Sequence, residues 1–217
     1  MDRSEARTKL LDAAAQVLLE GGLERLSVRR VTSVAGMNVN AVNYSFGSKE
    51  TLLQQLMLQV VEPGLIERSR RIDAVASTPG HTVEDLVRAF LSPLLEADPR
   101  LFALFVEIGF KPRLHGDMRF EPTREAGVQA GIDQLATALS PLLPAIPLGI
   151  ITFRVELALG TAFGYKLFAA DLANKYAVDA EVGRQCLTDD LFNFVCQALA
   201  APAPSHVAPD GTPSFVT

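Results

Sequence analysis

Apolar residues recur at the spacing of an α-helix along most of the chain, and no stretch alternates apolar and polar residues as a β-strand would. The first segment shows the pattern clearly, because Ala6, Leu10, Ala14, Val17 and Leu18 fall on one helical face. A chain with this pattern must bury one face of each helix against other helices. The sequence therefore predicts an all-α fold.

Glycines and capping residues divide the first 50 residues into three helices. The sequence EGG at residues 20–22 ends the first helix, and Ser27 is a natural N-cap for the second. Gly36 provides a tight turn, after which Asn38 can cap a third helix at residues 39–46. Two short helices joined by a glycine turn and braced by a first helix are typical of a helix-turn-helix.

The third helix presents a polar face that suits DNA recognition. With about 100° per residue, Val42 and Phe46 share the inward side with Val39, whereas Asn40 and Tyr44 point outward. An asparagine amide matches an adenine edge, and hydroxyls and cations reach phosphates. The candidate DNA-binding residues are Ser27, Arg29, Arg30, Asn38, Asn40, Ala41, Asn43, Tyr44, Ser45 and Lys49. Any small helical domain also has a polar outer face, so spacing alone leaves a purely structural interpretation open.

Beyond the third helix the pattern predicts a larger helical region. A fourth helix starts near Lys49, and Pro63-Gly64 is expected to kink or break it. Further helices are expected near residues 82–96, 98–110, 119–140, 148–175 and 179–200. We therefore divide the chain into a helix-turn-helix head at residues 1–50, a helical body at 51–200 and a Pro- and Ala-rich tail at 201–217 that is expected to be disordered.

The charge of the chain limits how it can bind nucleic acid. The net charge of −5 argues against a protein that coats nucleic acid through general basicity. The first 50 residues carry seven Lys and Arg against six Asp and Glu, a net of +1, so the acidity lies in the rest of the chain. Any DNA binding therefore depends on where the basic residues are placed.

The sequence also predicts a soluble, cytoplasmic protein without membrane partners. Its N-terminus is charged and amphipathic, unlike a signal peptide. The longest uncharged run, residues 134–153, contains prolines that would interrupt a membrane-spanning helix. Cys186 and Cys196 are expected to be reduced thiols, and a redox role for them stays open.

The stretch from Arg7 to Leu56 resembles the N-terminal domain of the TetR family of bacterial transcriptional regulators. The likeness is carried by LLDAAAQVLLEGGLERLSVRRVTSVAGMNVNAVNYSFGSKETL, with its alanine pair, the glycine before the second helix, Ala35-Gly36 in the turn, and the closing pattern F.SKE.L. It is similar to the subgroup with NY.FGSK in the recognition helix, with Ser45 where that subgroup has histidine.

The resemblance implies that the body binds a small molecule and pairs two subunits, mostly through its last two long helices. The sequence agrees, because residues 150–172 carry few charges. The implied dimer interface consists of Phe153, Leu157, Gly160, Gly164, Leu187, Leu191, Phe194 and Val195. The implied ligand pocket is lined by Met57, Phe90, Phe102, Phe105, Glu107, Phe110 and Phe163. An ordinary monomer core would also account for these apolar residues.

The resulting interpretation is a homodimeric, ligand-responsive DNA-binding transcriptional regulator. We expect a repressor, the commoner mode in the family, that is released from a palindromic operator by a hydrophobic or amphipathic small molecule. An alternative is a helical carrier of hydrophobic ligands whose DNA-reading head is degenerate. We expect no enzymatic activity, cofactor or metal site, since the sequence contains no phosphate-binding glycine loop, HExxH motif or nucleophile elbow.

Overall fold

The computed structural model describes residues 2–110, 121–176 and 180–203. Within these ranges the chain forms helices and no strands, which confirms the all-α prediction. The α-helices are α1 (Arg3–Gly21), α2 (Val28–Val34), α3 (Ala41–Phe46), α4 (Lys49–Ala76), α5 (Val83–Glu96), α6 (Pro99–Phe105), α7 (Glu121–Leu139), α8 (Leu148–Tyr176) and α9 (Ala180–Ala200). A π-helical segment, Val106–Phe110, follows α6 directly, and 3-10 turns lie at Leu23–Arg25 and Ser140–Leu142.

The helix boundaries follow the sequence pattern with two exceptions. α4 is one continuous helix through Pro63, so the chain does not break there, and the predicted kink stays a prediction. A proline removes one backbone hydrogen bond, and the bonds of the neighbouring turns hold the helix together here. The third helix begins at Ala41 instead of residue 39. Most of the predicted disordered tail, residues 204–217, lies outside the described residues.

The backbone divides into two compact units. Unit 1 comprises Met1–Gly64 and Ala97–Gly127, and unit 2 comprises Leu65–Glu96 and Val128–Thr217. The division therefore falls within α4, just after Pro63. The boundary predicted near residue 50 divides a predicted DNA-binding head from a predicted ligand-binding body, and it does not coincide with the division into compact units. It stays a prediction.

Unit 1 is built around the apolar face of α1. Leu10, Val17 and Leu18 are almost completely buried there, as their helical spacing predicts. They belong to one core with Val31 of α2, Val42 of α3, Leu52 and Leu56 of α4, and Leu104 and Ile108 near α6. Burial of this apolar surface is the main force that holds α2 and α3 against α1.

Arg7 of α1 adds a polar tie to this core. Its Nη1 donates a hydrogen bond to the carbonyl of Ser45, and its Nη2 lies 3.5 Å from Oε1 of Gln55 on α4. Its guanidinium carbon lies 4.3 Å from the centroid of the Phe46 ring. The last carbonyls of a helix have no partner within the helix, so Arg7 satisfies one at the end of α3.

Unit 2 has its own core, to which α5, α7, α8 and α9 all contribute. Phe90, Leu139 and Ile151 are fully buried within it, and Val195 and Leu199 contribute from α9. Arg154 of α8 donates hydrogen bonds to the carbonyls of Leu199, Ala201 and Pro202 at 2.6–2.8 Å. These bonds satisfy carbonyl groups at and just beyond the end of α9.

α8 carries apolar residues on two faces. Ile151 and Val155 lie in the core of unit 2, whereas Phe153 and Leu157 are exposed to solvent. By length and composition alone α8 is apolar enough to cross a membrane. Its second apolar face nevertheless includes Glu156, which is exposed and would be costly to place in lipid.

The second half of α4 offers a direct test of the core of unit 2. Ile72 is 1% exposed and Ile66 is 62% exposed on the same helix. Replacing Ile72 with alanine should lower the free energy of unfolding by about 2–5 kcal/mol, because the change leaves a cavity. The matched Ile66→Ala variant should stay within about 0.5 kcal/mol of the parent. Chemical denaturation measures both, and similar effects of the two variants would contradict this account of the core.

The tie from Arg7 should govern how firmly α3 is held. In Arg7→Met the stem still covers Phe46, but both hydrogen bonds are lost, at a cost of about 1–3 kcal/mol. Hydrogen–deuterium exchange should therefore become faster across α3. Gln16→Met is the control, because the exposed Gln16 pairs only with Glu20 of its own helix, at 2.8 Å. Unchanged exchange across α3 in Arg7→Met would show that apolar packing alone fixes this helix.

Candidate nucleic-acid interface

The turn between α2 and α3 has a defined geometry. The side chain of Ser27 accepts a hydrogen bond from the amide of Arg30 at 3.2 Å, which confirms Ser27 as the N-cap of α2. After α2 the backbone turns at Gly36, whose φ is 65°. A Cβ atom at Gly36 would meet no other atom within 4 Å, so the backbone conformation, and not space, favours glycine there. The amide of Met37 then donates to the carbonyl of Thr32 at 2.8 Å and fixes the turn.

The start of α3 differs from the prediction. Asn38 does not cap α3, whose N-cap residue is Asn40; the Asn38 Oδ1 instead accepts a hydrogen bond from the amide of Asn40 at 2.9 Å in the turn that precedes the helix. Val39 lies in this turn and is 44% exposed, so its predicted inward position is wrong. The helical wheel placed Val39 inward only because it assumed a helix that began there.

Ser45 also requires a correction. It is 4% exposed and shares the buried side of α3 with Val42 and Phe46, at the i, i+3, i+4 spacing of one helical face. Its carbonyl is the acceptor for Arg7. Because its side chain faces the core of unit 1, Ser45 cannot contact a phosphate, and we remove it from the candidate interface.

The outer side of α3 carries the remaining candidates. Asn40, Asn43 and Tyr44 are exposed, and Ala41 is half-buried. Tyr44 is 78% exposed, which is unusual for a large aromatic residue that serves only to stabilise a fold. The guanidinium carbon of Arg3 lies 5.9 Å from the centroid of its ring. Two amides and a phenol hydroxyl therefore face solvent together on one short helix.

Basic residues lie on the elements that flank this face. Arg30 forms an ion pair with Glu20 at 3.2 Å, and hydrogen bonds from Gln16 and then Arg30 lower the pKa of Glu20 below its usual value. Arg30 is thus partly neutralised by a carboxylate that stays ionised. Arg29 is exposed and has no ion pair within the described part of the chain. Lys49 lies in the first turn of α4, where Ser48 Oγ accepts from the amide of Thr51 at 3.0 Å.

The structure therefore brings most of the sequence candidates to the surface of α2, α3 and the start of α4. Asn38, Asn40, Asn43 and Tyr44 are exposed, and so are Ser27, Arg29 and Arg30. The sequence analysis missed Arg3 and Arg7, which follow one another at helical spacing on α1. The sequence around Arg3 and Arg7 looks like that of the other charged residues of α1. Their contacts arise only because α3 packs against this part of α1, which the sequence pattern does not show.

The residues of the predicted ligand pocket fall into the two units. Met57, Phe102, Phe105, Glu107 and Phe110 belong to unit 1, whereas Phe90 and Phe163 belong to unit 2. Met57 and Phe90 are buried in the cores of their respective units. The pocket stays a prediction.

The residues of the predicted dimer interface all lie in unit 2, but only some of them are accessible. Leu157 is 55% and Phe194 is 62% exposed. Phe153 is 39% exposed, and a Cβ atom at Gly160 or Gly164 would meet nothing within 4 Å. Leu187 is half-buried. In contrast, Leu191 and Val195 pack in the chain's own core at 8% and 2% exposure, so a partner could not reach them and we remove them from the interface.

Comparison with known proteins shows which protein family the N-terminal segment resembles. Residues 10–56 match the family described as bacterial regulatory proteins, tetR family. Over 123 residues the chain is 31% identical to the HTH-type nicotine-responsive transcriptional repressor HdnoR of Paenarthrobacter nicotinovorans. That match spans 52% of this chain and 59% of the repressor.

Solved structures share the fold of this chain over 91% of its length. A transcriptional regulator from Rhodococcus sp. Rha1 has a TM-score of 0.61 and 24% identity, over 91% of this chain and 99% of its own. The transcriptional regulator FadR from Bacillus subtilis, solved in complex with stearoyl-CoA, has a TM-score of 0.61 and 16% identity over the same shares. The family match covers residues 10–56, which include most of α1, all of α2 and α3, and the start of α4, so the helix-turn-helix of this chain is similar to that of the TetR family of bacterial regulatory proteins.

Proposed function

We propose that the chain is a cytoplasmic, homodimeric transcriptional regulator of the TetR family that binds operator DNA through α3 and responds to a small molecule bound by its helical body. The observation that carries the proposal is the exposed face of Asn40, Asn43 and Tyr44 on α3. Within the described part of unit 1 the Tyr44 ring is 78% exposed and lies against the Arg3 guanidinium, and insertion into a major groove uses this kind of exposed polar face.

The chemistry of this face assigns a role to each residue. The amides of Asn40 and Asn43 can pair with adenine, and half-buried Ala41 allows close approach and contact with a thymine methyl group. The Tyr44 hydroxyl, Arg29 and Lys49 reach phosphates, and the N-terminal end of the α4 dipole favours a negative charge nearby. Phosphate contacts position α3 on the duplex, and the asparagines carry the sequence preference.

We further propose that the regulator is a repressor. Support comes from HdnoR, which its name describes as a nicotine-responsive transcriptional repressor and which shares 31% identity over 123 residues. The effector is proposed to be hydrophobic or amphipathic. The fold is compatible with such a ligand, because FadR from Bacillus subtilis has the same fold and was solved with stearoyl-CoA.

The dimer is proposed to form through the exposed side of α8 and α9. Phe153, Leu157, Gly160 and Gly164 follow one another at helical spacing on α8, and Phe194 is exposed on α9. Glycines allow close helix approach, and a monomer rarely exposes a large apolar surface without a partner. A two-fold pairing of these helices would cover the patch and present two copies of α3 to a palindromic site.

The face on α3 is tested by single substitutions. Tyr44→Ala and Lys49→Ala should each weaken DNA binding by roughly tenfold or more, since each dimer loses two contacts. Lys49→Ala should also reduce the salt dependence of binding by about two phosphate contacts. Fluorescence anisotropy measures both effects on DNA from immediately upstream of the protein's own gene.

Tyr176→Ala and Lys175→Ala are matched controls at the end of α8, where Tyr176 is 64% exposed. These variants should bind DNA like the parent. Parental affinity in Tyr44→Ala would remove the proposed reading face. Tight effector binding without any DNA binding would instead favour the ligand carrier with a degenerate head.

The proposed interface is tested by charge insertion. Leu157→Asp and Phe194→Asp should convert a dimer into a 23.4 kDa monomer, because each buries two carboxylates at the two-fold interface. Size-exclusion chromatography with light scattering gives the mass directly. Ile66→Asp, at a residue that is 62% exposed on α4, is the control and should stay dimeric. A dimer that survives both interface substitutions would place the contact elsewhere.

A further inference from the structure

Arg68, on the second half of α4, is buried within unit 2 and has no acidic partner among the described residues. It is 6% exposed, and its Nε donates to the carbonyl of Phe90 at 3.0 Å. Its guanidinium carbon lies 4.6 Å from the centroid of the Phe90 ring. On the side of α7 it faces Gly131, where a Cβ atom would lie 3.9 Å from its Nη1. The surroundings of the charge are therefore an aromatic ring and a residue without a side chain.

The other arginines described in unit 2 have carboxylate or carbonyl partners for their guanidinium groups. Arg70 and Arg71 pair with Glu67, and Arg71 also pairs with Glu96. Arg88 pairs with Glu84 and Asp189. Arg154 uses both terminal nitrogens on backbone carbonyls. Among the described arginines of this unit, Arg68 is the one that is buried and lacks any acceptor for Nη1 and Nη2.

The two terminal nitrogens of Arg68 keep some contact with solvent. Among the described residues, no side-chain nitrogen or oxygen that is sealed from solvent lacks a hydrogen-bond partner. Since Nη1 and Nη2 have no protein acceptor, they are not sealed. Two parallel N–H donors of one guanidinium are thus left for an acceptor from outside the described protein residues.

The charge on Arg68 is retained in this setting. Burial lowers its pKa to about 10, which still leaves the group protonated at neutral pH. An ionised group in apolar surroundings is unfavourable unless a counter-charge arrives. The nearby cations Arg70 and Arg71 are already paired with Glu67. One negative charge on a ligand would therefore stabilise the unpaired positive charge of Arg68.

We propose that unit 2 binds a small organic carboxylate, whose two oxygens accept hydrogen bonds from Nη1 and Nη2 of Arg68 while its apolar part packs on the core beside Phe90. A carboxylate matches the fork of a guanidinium with two parallel hydrogen bonds. A phosphate monoester would bring a second negative charge for which the described surroundings provide no free cation. The inference rests on the proposed function, because it names the chemical class of the effector.

The test compares carboxylates with neutral analogues of the same shape on the purified full-length protein without DNA. The probes are octanoate, decanoate and phenylacetate, each paired with its primary amide. Isothermal titration calorimetry should find at least one carboxylate that binds roughly 10- to 100-fold more tightly than its amide. This preference should disappear in Arg68→Met and persist in Arg70→Met, in which an exposed arginine two residues away is replaced. No preference in the parent protein, or a preference that survives in Arg68→Met, overturns the proposal.

Two further readouts exclude a purely structural role. Without ligand, Arg68→Met should melt at the same temperature as the parent or higher, because it removes an uncompensated charge. A lower melting temperature with an intact carboxylate preference would mark Arg68 as a structural tie only. Arg68→Lys keeps the charge without the fork and should retain a smaller preference.

The outcome is separable from that of the proposed function. Because the assay contains no DNA, specific operator binding together with equal affinity for acids and amides would overturn only the carboxylate site. An Arg68-dependent carboxylate preference in a protein that binds no DNA would overturn only the regulator.

Discussion

The packing of α3 against α1 is the constraint on which the proposed DNA-binding surface depends. α3 has only six residues, and an isolated helix of that length is unstable in water. Val42 and Phe46 anchor it in the core of unit 1, and Arg7 satisfies a carbonyl at its end. The common orientation of Asn40, Asn43 and Tyr44 therefore depends on the buried residues of α3 and on Arg7 of α1.

The charged residues of the molecule divide into those that are paired and those that are available to a ligand. Glu20 holds Arg30, and Glu67 holds Arg70 and Arg71, so these charges stabilise the fold or the surface locally. Arg29 on α2 and Arg68 on α4 have no carboxylate partner within the described part of the chain. Arg29 is exposed, as a contact to DNA phosphate requires, and Arg68 is mostly buried, where a bound carboxylate would be shielded from water. An effector that changes operator affinity would couple two such sites through the states of the whole dimer.

Periodicity and capping residues were sufficient to predict the helices, because each helix buries one apolar face and Ser27 caps α2 as expected. The phase of α3 was not predictable from the same rules, since Asn38 caps a turn and shifts the start of the helix to Ala41. This shift left Val39 exposed, and packing on α1 buried Ser45. α9 is apolar on two sides, and only the structure shows that Leu191 and Val195 face the chain's own core. The burial of Arg68 had no sequence signal, because arginine is usually exposed.

The central claim is that two copies of α3 read one symmetric DNA site. Selection of bound fragments from the genomic DNA of the source organism, followed by sequencing, tests it most directly. The account predicts enrichment of fragments that share an inverted repeat, with half-site centres separated by about one helical turn or a multiple of it. Equal recovery of all fragments, or enrichment of a motif without two-fold symmetry, would contradict it.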